Sequence, residues 1–361
     1  APISGPITQS GSRWRVYRDS NGALVHDSGE TGEPVSYTLP KGVVDEGVAY
    51  RWEVQLRTEE YGSSVWSTQF AFSTMSKFTV SSIVPGTPAM PSTTYGVFAD
   101  DDYVYAVGFS FGLRVINKSD WTIVPGTPSI GTANGVFADA NYVYVAIDAD
   151  PYFLVIRKSD WSIVTGTPVL ARNGKAVFAD NDNVYVAHQF PPRLTVVRKS
   201  DWSVVPGTPA FNGTGSAVYA DASHVYFLND AAPYLHKIRK SDWSVVAGTP
   251  ALEGRGTGVF VDASYVYLVH SGGDGLKILN KSNDSIVPGT PPFSNANGVF
   301  ADADFVYVVF GVYPYFAAVS KADWSIVPGT PALGGFAYSV FADADYVYSA
   351  QSGDPGLVVM E

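Results

Sequence analysis

The chain repeats an acidic pair, Asp-x-Asp, as in "FADADYVY" at 341–348. Two carboxylates one residue apart could hold a divalent cation, but a calcium loop needs five or more oxygen ligands at fixed offsets. The second acid is missing after Asp139 (Ala140 to Tyr142) and after Asp221 (Ala222 to His224). The pattern instead predicts a tight hairpin turn in which Asp accepts local backbone N–H groups. A second repeated group is "KSDW", at 118–121, 158–161, 199–202 and 240–243, with "KADW" at 321–324 and "KSND" at 281–284. Five tryptophans could form a carbohydrate platform; recurrence in nearly every repeat favours a corner whose Trp packs on its neighbour. The five histidines, His26, His188, His224, His236 and His270, form no metal-spaced pair. Neither H-E-x-x-H nor a phosphate loop with Lys occurs, and G-x-S-x-G matches once, at Gly108 to Gly112. These residues ask for no catalytic role, no metal and no cofactor.

The elements that carry these residues come in a series. Gly-Thr-Pro begins at Gly86, Gly126, Gly166, Gly207, Gly248, Gly289 and Gly329, at spacings of 40 or 41. Such a period dictates the architecture. Each repeat reads as four short strands, exemplified by "GVFAD" (A), "YVYVA" (B), "LVIRK" (C) and "WSIVPG" (D), all β-branched or aromatic. Strand B is apolar throughout, as in Tyr142 to Val145, so its sheet should be covered on both faces. Four-stranded units stacked face to face around an axis are β-propeller blades. The series opens with a lone strand D, "KFTVSSIVPGTP" at 77–88, and closes with A, B and C at 338–360. A ring explains complementary ends, because the first strand completes the last blade and removes exposed edges. The expectation is seven blades, the seventh shared between 77–85 and 338–361.

Strand order assigns the loops to two faces. A–B and C–D turns lie on one, which is monotonous ("ADAD", "RKSD"); B–C and D–A loops lie on the other, which varies. The B–C loops read "FSFG", "DADPY", "HQFPPR", "NDAAPY", "HSGGDG", "FGVYPY" and "QSGDPG". Aromatic rings beside Asp, Asn and Arg suit sugars or a protein surface. The candidate ligand-binding residues are Tyr152, Phe190, Arg193, Tyr234, Tyr313 and Tyr315, with Phe109, Phe111, Arg172 and Arg255 nearby.

Residues 1–75 form a separate domain before the propeller at 76–361. "SRWRVYRDSNGALVHDSGE" predicts a hairpin at Ser20-Asn21-Gly22. Further on come Tyr37-Thr38-Leu39-Pro40, Gly47, Tyr50-Arg51-Trp52-Glu53-Val54, Trp66-Ser67 and Phe72-Ser73-Thr74. This pattern resembles fibronectin type III-like modules of the kind found in tailed-bacteriophage virion proteins and bacterial surface proteins. The resemblance implies a β-sandwich with Tyr50 at a tyrosine corner and Trp52 in the core. It also implies a module that anchors on other virion or surface proteins. The strand order leads it into the propeller through Met75-Ser76, from the monotonous face.

The 361 residues carry a net charge of −11 with no dominant basic patch, which argues against nucleic acid and anionic membranes as partners. No run of 18 apolar residues exists, so no membrane insertion is expected. Cysteine is absent, which removes disulfides and thiolate chemistry. The chain opens on Ala1, compatible with a trimmed initiator Met or a cleaved signal peptide. Three readings result. The first is a non-enzymatic virion structural, decoration or receptor-binding protein of a bacteriophage, with the propeller displaying its variable face to a host-surface glycan or protein. The second is a secreted or cell-surface bacterial lectin or adhesin. A propeller enzyme, a lyase or glycoside hydrolase, ranks behind both.

Overall fold

The computed structural model describes residues 9–32, 39, 43–44, 49–58, 62–73, 84–170 and 173–361. All regular structure among them is β, and no helix occurs. Residues 77–83 of the expected lone strand, the Met75-Ser76 linker, Tyr37, Thr38, Pro40, Gly47, Thr74 and Arg172 lie outside the described residues. Two compact units divide at Ala1–Thr79 and Val80–Glu361.

The described residues of the first unit form one antiparallel sheet. Strands β1 (Gln9–Arg18), β2 (Leu24–Thr31), β3 (Ala49–Thr58) and β4 (Gly62–Ser63) run in the order β2-β1-β3-β4, and β5 (Phe70–Ser73) pairs with the start of β3. The Asn21-Gly22 turn joins β1 to β2: Gly22 takes φ +66°, and Asn21 Oδ1 accepts the Ala23 N–H. Trp52 lies between Trp14 and Phe70, with ring centres 5.1 and 4.8 Å away. Tyr50 is fully buried. Asp27 takes a bidentate fork from Arg13 and a third bond from Arg15, which together hold its carboxyl well below the usual range against the cost of burial.

The described residues of the second unit form seven three-stranded antiparallel sheets. The first consists of β6 (Thr94–Ala99), β7 (Tyr103–Gly108) and β8 (Gly112–Asn117), its inner, middle and outer strands. The other six repeat it over 133–157, 174–198, 215–239, 256–280, 296–320 and 337–360. Middle strands bury both faces because alternate side chains serve different neighbours. Tyr105 and Val107 of the first sheet pack with Val143, Val145 and Ile147 of the second, while Tyr144 and Ala146 turn toward Val184 and Val186 of the third. Each fully buried Val or Leu contributes about 1.5–3 kcal/mol, so these interfaces carry most of the unit's stability.

The fourth strand needs correction. After each of the first six outer strands the chain makes a single bridge, Ile116↔Ile123 and its five counterparts, rather than a five-residue strand. The cause is local. The corner residue (Trp121, Trp161, Trp202, Trp243, Asp284, Trp324) is left-handed, with φ between 56° and 62°. Gly-Thr-Pro follows at once, with Gly126 at φ +81°, a value glycine accepts freely. Between these two reversals only a few residues can lie extended. Two hydrogen bonds still fix the segment, as in Thr122 O to Asn117 N and Val124 N to Val115 O.

The two loop faces are visible in the backbone bonds. Middle-to-outer loops bond to the approach of the inner strand (Phe109 N to Thr93 O, Ser352 N to Phe336 O). Turns at the opposite end bond to each other (Lys118 N to Asp102 O). The seventh sheet adjoins the first by contacts like those between other neighbours: Met90 N donates to Pro355 O as Leu170 N does to Pro151 O, and Val84 N donates to Val359 O.

Candidate binding site at the axial channel

One face is fixed by a repeated carboxylate hub. Asp100 Oδ1 accepts the N–H groups of Asp102 and Tyr103, forming the turn expected from Asp-x-Asp. Its Oδ2 accepts the Tyr105 hydroxyl at 2.7 Å and Lys158 Nζ, from the next sheet, at 2.7 Å. Lys158 also donates to the Asp139 carbonyl of its own sheet. The inter-sheet ion pair recurs at Lys118–Asp343, Lys199–Asp139, Lys240–Asp180, Lys281–Asp221 and Lys321–Asp262, at 2.5–3.1 Å. Burial pushes the Asp100 carboxyl up, but the bonds from Lys158, Tyr105 and the backbone outweigh it and hold the group below its ordinary value. The same environment raises the Tyr105 hydroxyl far above its ordinary value, chiefly by burial. The corner tryptophans lie edge-on against the previous sheet, Trp161 on Tyr103 and Trp202 on Tyr142, at 5.4 and 5.5 Å. Repeated Asp, Lys, Tyr and Trp are thus committed to holding sheets together.

The seven inner strands surround a channel with a cavity of 450 Å³. Its lining is layered by strand position. Nearest the hub face lie Phe98, Phe137, Phe178, Tyr219, Phe260, Phe300 and Phe341. Each ring centre is 4.1–5.2 Å from the next, and Phe98 also lies 4.6 Å from Phe341. Above this belt comes a valine at the same position of every sheet, from Val97 to Val340. Next is a layer of small residues, where a Cβ on Gly135 would come within 2.9 Å of Ala176 Cα. Inner strands therefore approach too closely for larger side chains.

The layer nearest the variable face is the second residue of each inner strand, and it does not repeat. Tyr95, Asn134, Lys175, Ser216, Thr257, Asn297 and Tyr338 form the channel mouth. Four of them bridge to the next inner strand: Asn134 Nδ2 to Gly174 O (2.7 Å), Ser216 Oγ to Gly256 O (2.5 Å), Thr257 Oγ1 to Ala296 O (2.6 Å) and Asn297 Nδ2 to Ala337 O (2.8 Å). Asn134 Nδ2 also reaches Asp148 Oδ1 at 2.7 Å, and Lys175 Nζ lies 3.5 Å from the same oxygen. Tyr95 and Tyr338 stand edge to face at 5.3 Å, and Phe336 extends this wall onto the loop at 4.7 Å from Tyr338. Sequence reasoning missed this ring. The available signal was that the residue three places before each "FAD"-type run varies in size and polarity while the run itself does not.

The residues expected from sequence to bind ligand lie on the variable face but do not line this channel. Tyr152, Tyr234, Tyr315 and Arg193 occupy one loop position, left-handed at φ 67°, 69°, 66° and 77°, each N–H bonded to the carbonyl three residues earlier. Tyr152 and Tyr234 pack onto inter-sheet cores. Arg193 Nε is buried without a hydrogen-bond partner, beside His188. Tyr313 is 75% exposed and Phe190 43%. Tyr313 and Tyr315 are 6.2 Å apart. The six are spread over loops of the second, third, fourth and sixth sheets. Among the described residues no group of three or more His, Asp or Glu is placed to hold a metal ion.

No protein-family model matches the chain, and no curated protein matches it in sequence. Solved structures resemble it in fold. The WD40 β-propeller domain of Doa1 superposes with TM-score 0.64 at 14% identity, covering 76% of this chain and 96% of that one. U3-55K gives 0.63 at 11%, covering 75% and 96%. The computationally designed Ika8 protein gives 0.58 at 9%, covering 76% and 98%. At such identities the likeness concerns architecture alone. The larger unit of this chain has a β-propeller fold.

Proposed function

We propose that the chain is a non-enzymatic binding and display protein. Its propeller captures a surface ligand through the variable face, and its N-terminal unit carries it on a larger body, a phage particle or alternatively a bacterial cell surface. One observation carries this reading: the two faces are built from different kinds of residue. The hub face spends its polar side chains on inter-sheet bonds. The variable face leaves Phe109, Phe190, Val312 and Tyr313 exposed around a mouth of unlike groups.

Two structural parts belong to the same proposal. The segment from residue 77 supplies the fourth strand of the seventh blade; support comes from the Val84–Val359 bond, which matches Val124–Val115 and Val164–Val155 elsewhere. Residues 1–75 are a fibronectin type III-like sandwich; support comes from the buried Tyr50 and the Trp14–Trp52–Phe70 stack. The test compares the full chain with variants on each face in capture by bacterial cells. The combined change Phe190→Ser and Tyr313→Ser should lower capture at least ~10-fold with unchanged melting, while Asp120→Asn on the hub face leaves it intact. Equal loss from both faces would overturn the reading. Co-sedimentation of the native chain with virus particles or with envelopes decides between the two carriers.

A further inference from the structure

We propose that the channel mouth is a saccharide site that takes one neutral pyranose residue end-on. The proposal rests on the binding reading above only for which face meets the ligand. The cavity's volume falls in the range of small-molecule sites, and its walls combine apolar surface with a few convergent polar groups. Its floor is valine and aromatic. Ring centres 4.1–5.2 Å apart around seven positions lie on a circle of roughly 5 Å radius, so bulky rings narrow the channel at its hub end. The channel is a cup narrowed at this apolar end, with its polar mouth toward the variable face.

Hydrogen-bond inventory selects the ligand. The single hydroxyl hydrogens of Ser216 and Thr257 are donated to Gly256 O and Ala296 O, so both oxygens face the cup as acceptors only. Both Nδ2 hydrogens of Asn134 are used, on Asp148 and Gly174, leaving its Oδ1. Asn297 keeps one donor and its acceptor oxygen. Acceptors thus dominate this wall, and a ligand must bring donors. A carboxylate brings none and a phosphate at most one or two P–O–H groups, so an anion on Lys175 would leave the acceptors of Ser216 and Thr257 unmet. An ammonium brings them, but would shed its hydration for neutral acceptors, because the nearby Asp148 carboxylate already takes Asn134 and Lys175. Sugar hydroxyls supply donors without charge. Across the cup, Tyr95 and Tyr338 stay partly exposed despite their edge-to-face contact and the packing of Phe336 on Tyr338, so aromatic surface remains for the C–H side of a pyranose.

The test is calorimetric titration of the full chain with methyl glycosides of glucose, galactose, mannose and N-acetylglucosamine. At least one should bind with millimolar or tighter affinity. Tyr338→Ala should weaken it at least ~10-fold, Tyr338→Phe should preserve it within a few-fold, and Asp120→Asn on the hub face should leave it unchanged. If Tyr338→Ala does not fold, Tyr95→Ala and Asn297→Ala give the same reading from the two walls. No binding at about 50 mM glycoside, or affinity indifferent to the mouth variants, overturns the proposal. Cell capture that survives Tyr338→Ala but fails with Phe190→Ser and Tyr313→Ser removes the saccharide site while leaving the display reading in place.

Discussion

His188 shows how a single side chain can set pH sensitivity. It is fully buried, and its Nδ1 contacts the Phe190 carbonyl while Nε2 contacts the Thr195 hydroxyl. A carbonyl only accepts, so the neutral ring carries its proton on Nδ1 and accepts from Thr195 through Nε2. Burial, with repulsion from Arg193, lowers its pKa to about 4. The unfolded chain binds the proton near the ordinary value of 6.5, so stability is complete above that pH, falls as pH drops toward 4, and then stops falling on this account. The full drop amounts to about 3 kcal/mol for this residue. His224, His236 and His270 are lowered by burial too and add to the slope. Denaturant unfolding at pH 7 and pH 4 should show a smaller difference in His188→Gln than in the natural chain. An equal difference would remove His188 from the account. None of this was legible in sequence, where His188 was only one of five histidines without a metal-spaced partner.

The element scale separates what spacing reveals from what it hides. Loop faces, turn-forming Asp and neighbour-packing Trp followed from recurrence, because a residue present in most repeats is most simply a packing device. The hub's lysine did not, because Lys158 and Asp100 stand 58 residues apart and meet only when sheets stack. Nor did the short fourth strand, because left-handed φ at Trp is rare and leaves no mark in composition. The exceptional corner is instructive. Where others carry Trp, the fifth sheet has Asp284; the facing aromatic is His224; and Lys237 replaces the Val, Ile or Ala of other outer strands. Lys237 Nζ, almost wholly buried, bonds both Asp284 oxygens at 2.7 and 3.0 Å. Removing one partner strands the other charge, so Asp284→Ala should cost about 3–5 kcal/mol. The double change Asp284→Trp with Lys237→Val restores the apolar corner and should recover most of that. Chemical denaturation of both variants checks the pair; a harmless Asp284→Ala would contradict the assignment.

At the scale of the whole molecule, the 40–41-residue period announced the propeller and its likeness to solved propellers agrees. The binding cup stayed hidden because inner-strand side chains meet only around the axis, and seven variable positions in seven separate repeats have no mutual spacing to read. Every feature of the account depends on a continuous circle of sheets: the two faces, the aromatic belt and the mouth at which Tyr338 of the seventh sheet meets Tyr95 of the first. The most direct test is residue-resolved amide hydrogen exchange at Val84, whose N–H reaches Val359 O. The account predicts protection equal to that of Val124, Val164 and Val205, which hold the same place in other sheets, with loss of all four together on global unfolding. Exchange at Val84 as fast as at a loop amide, with the other three still protected, would contradict it.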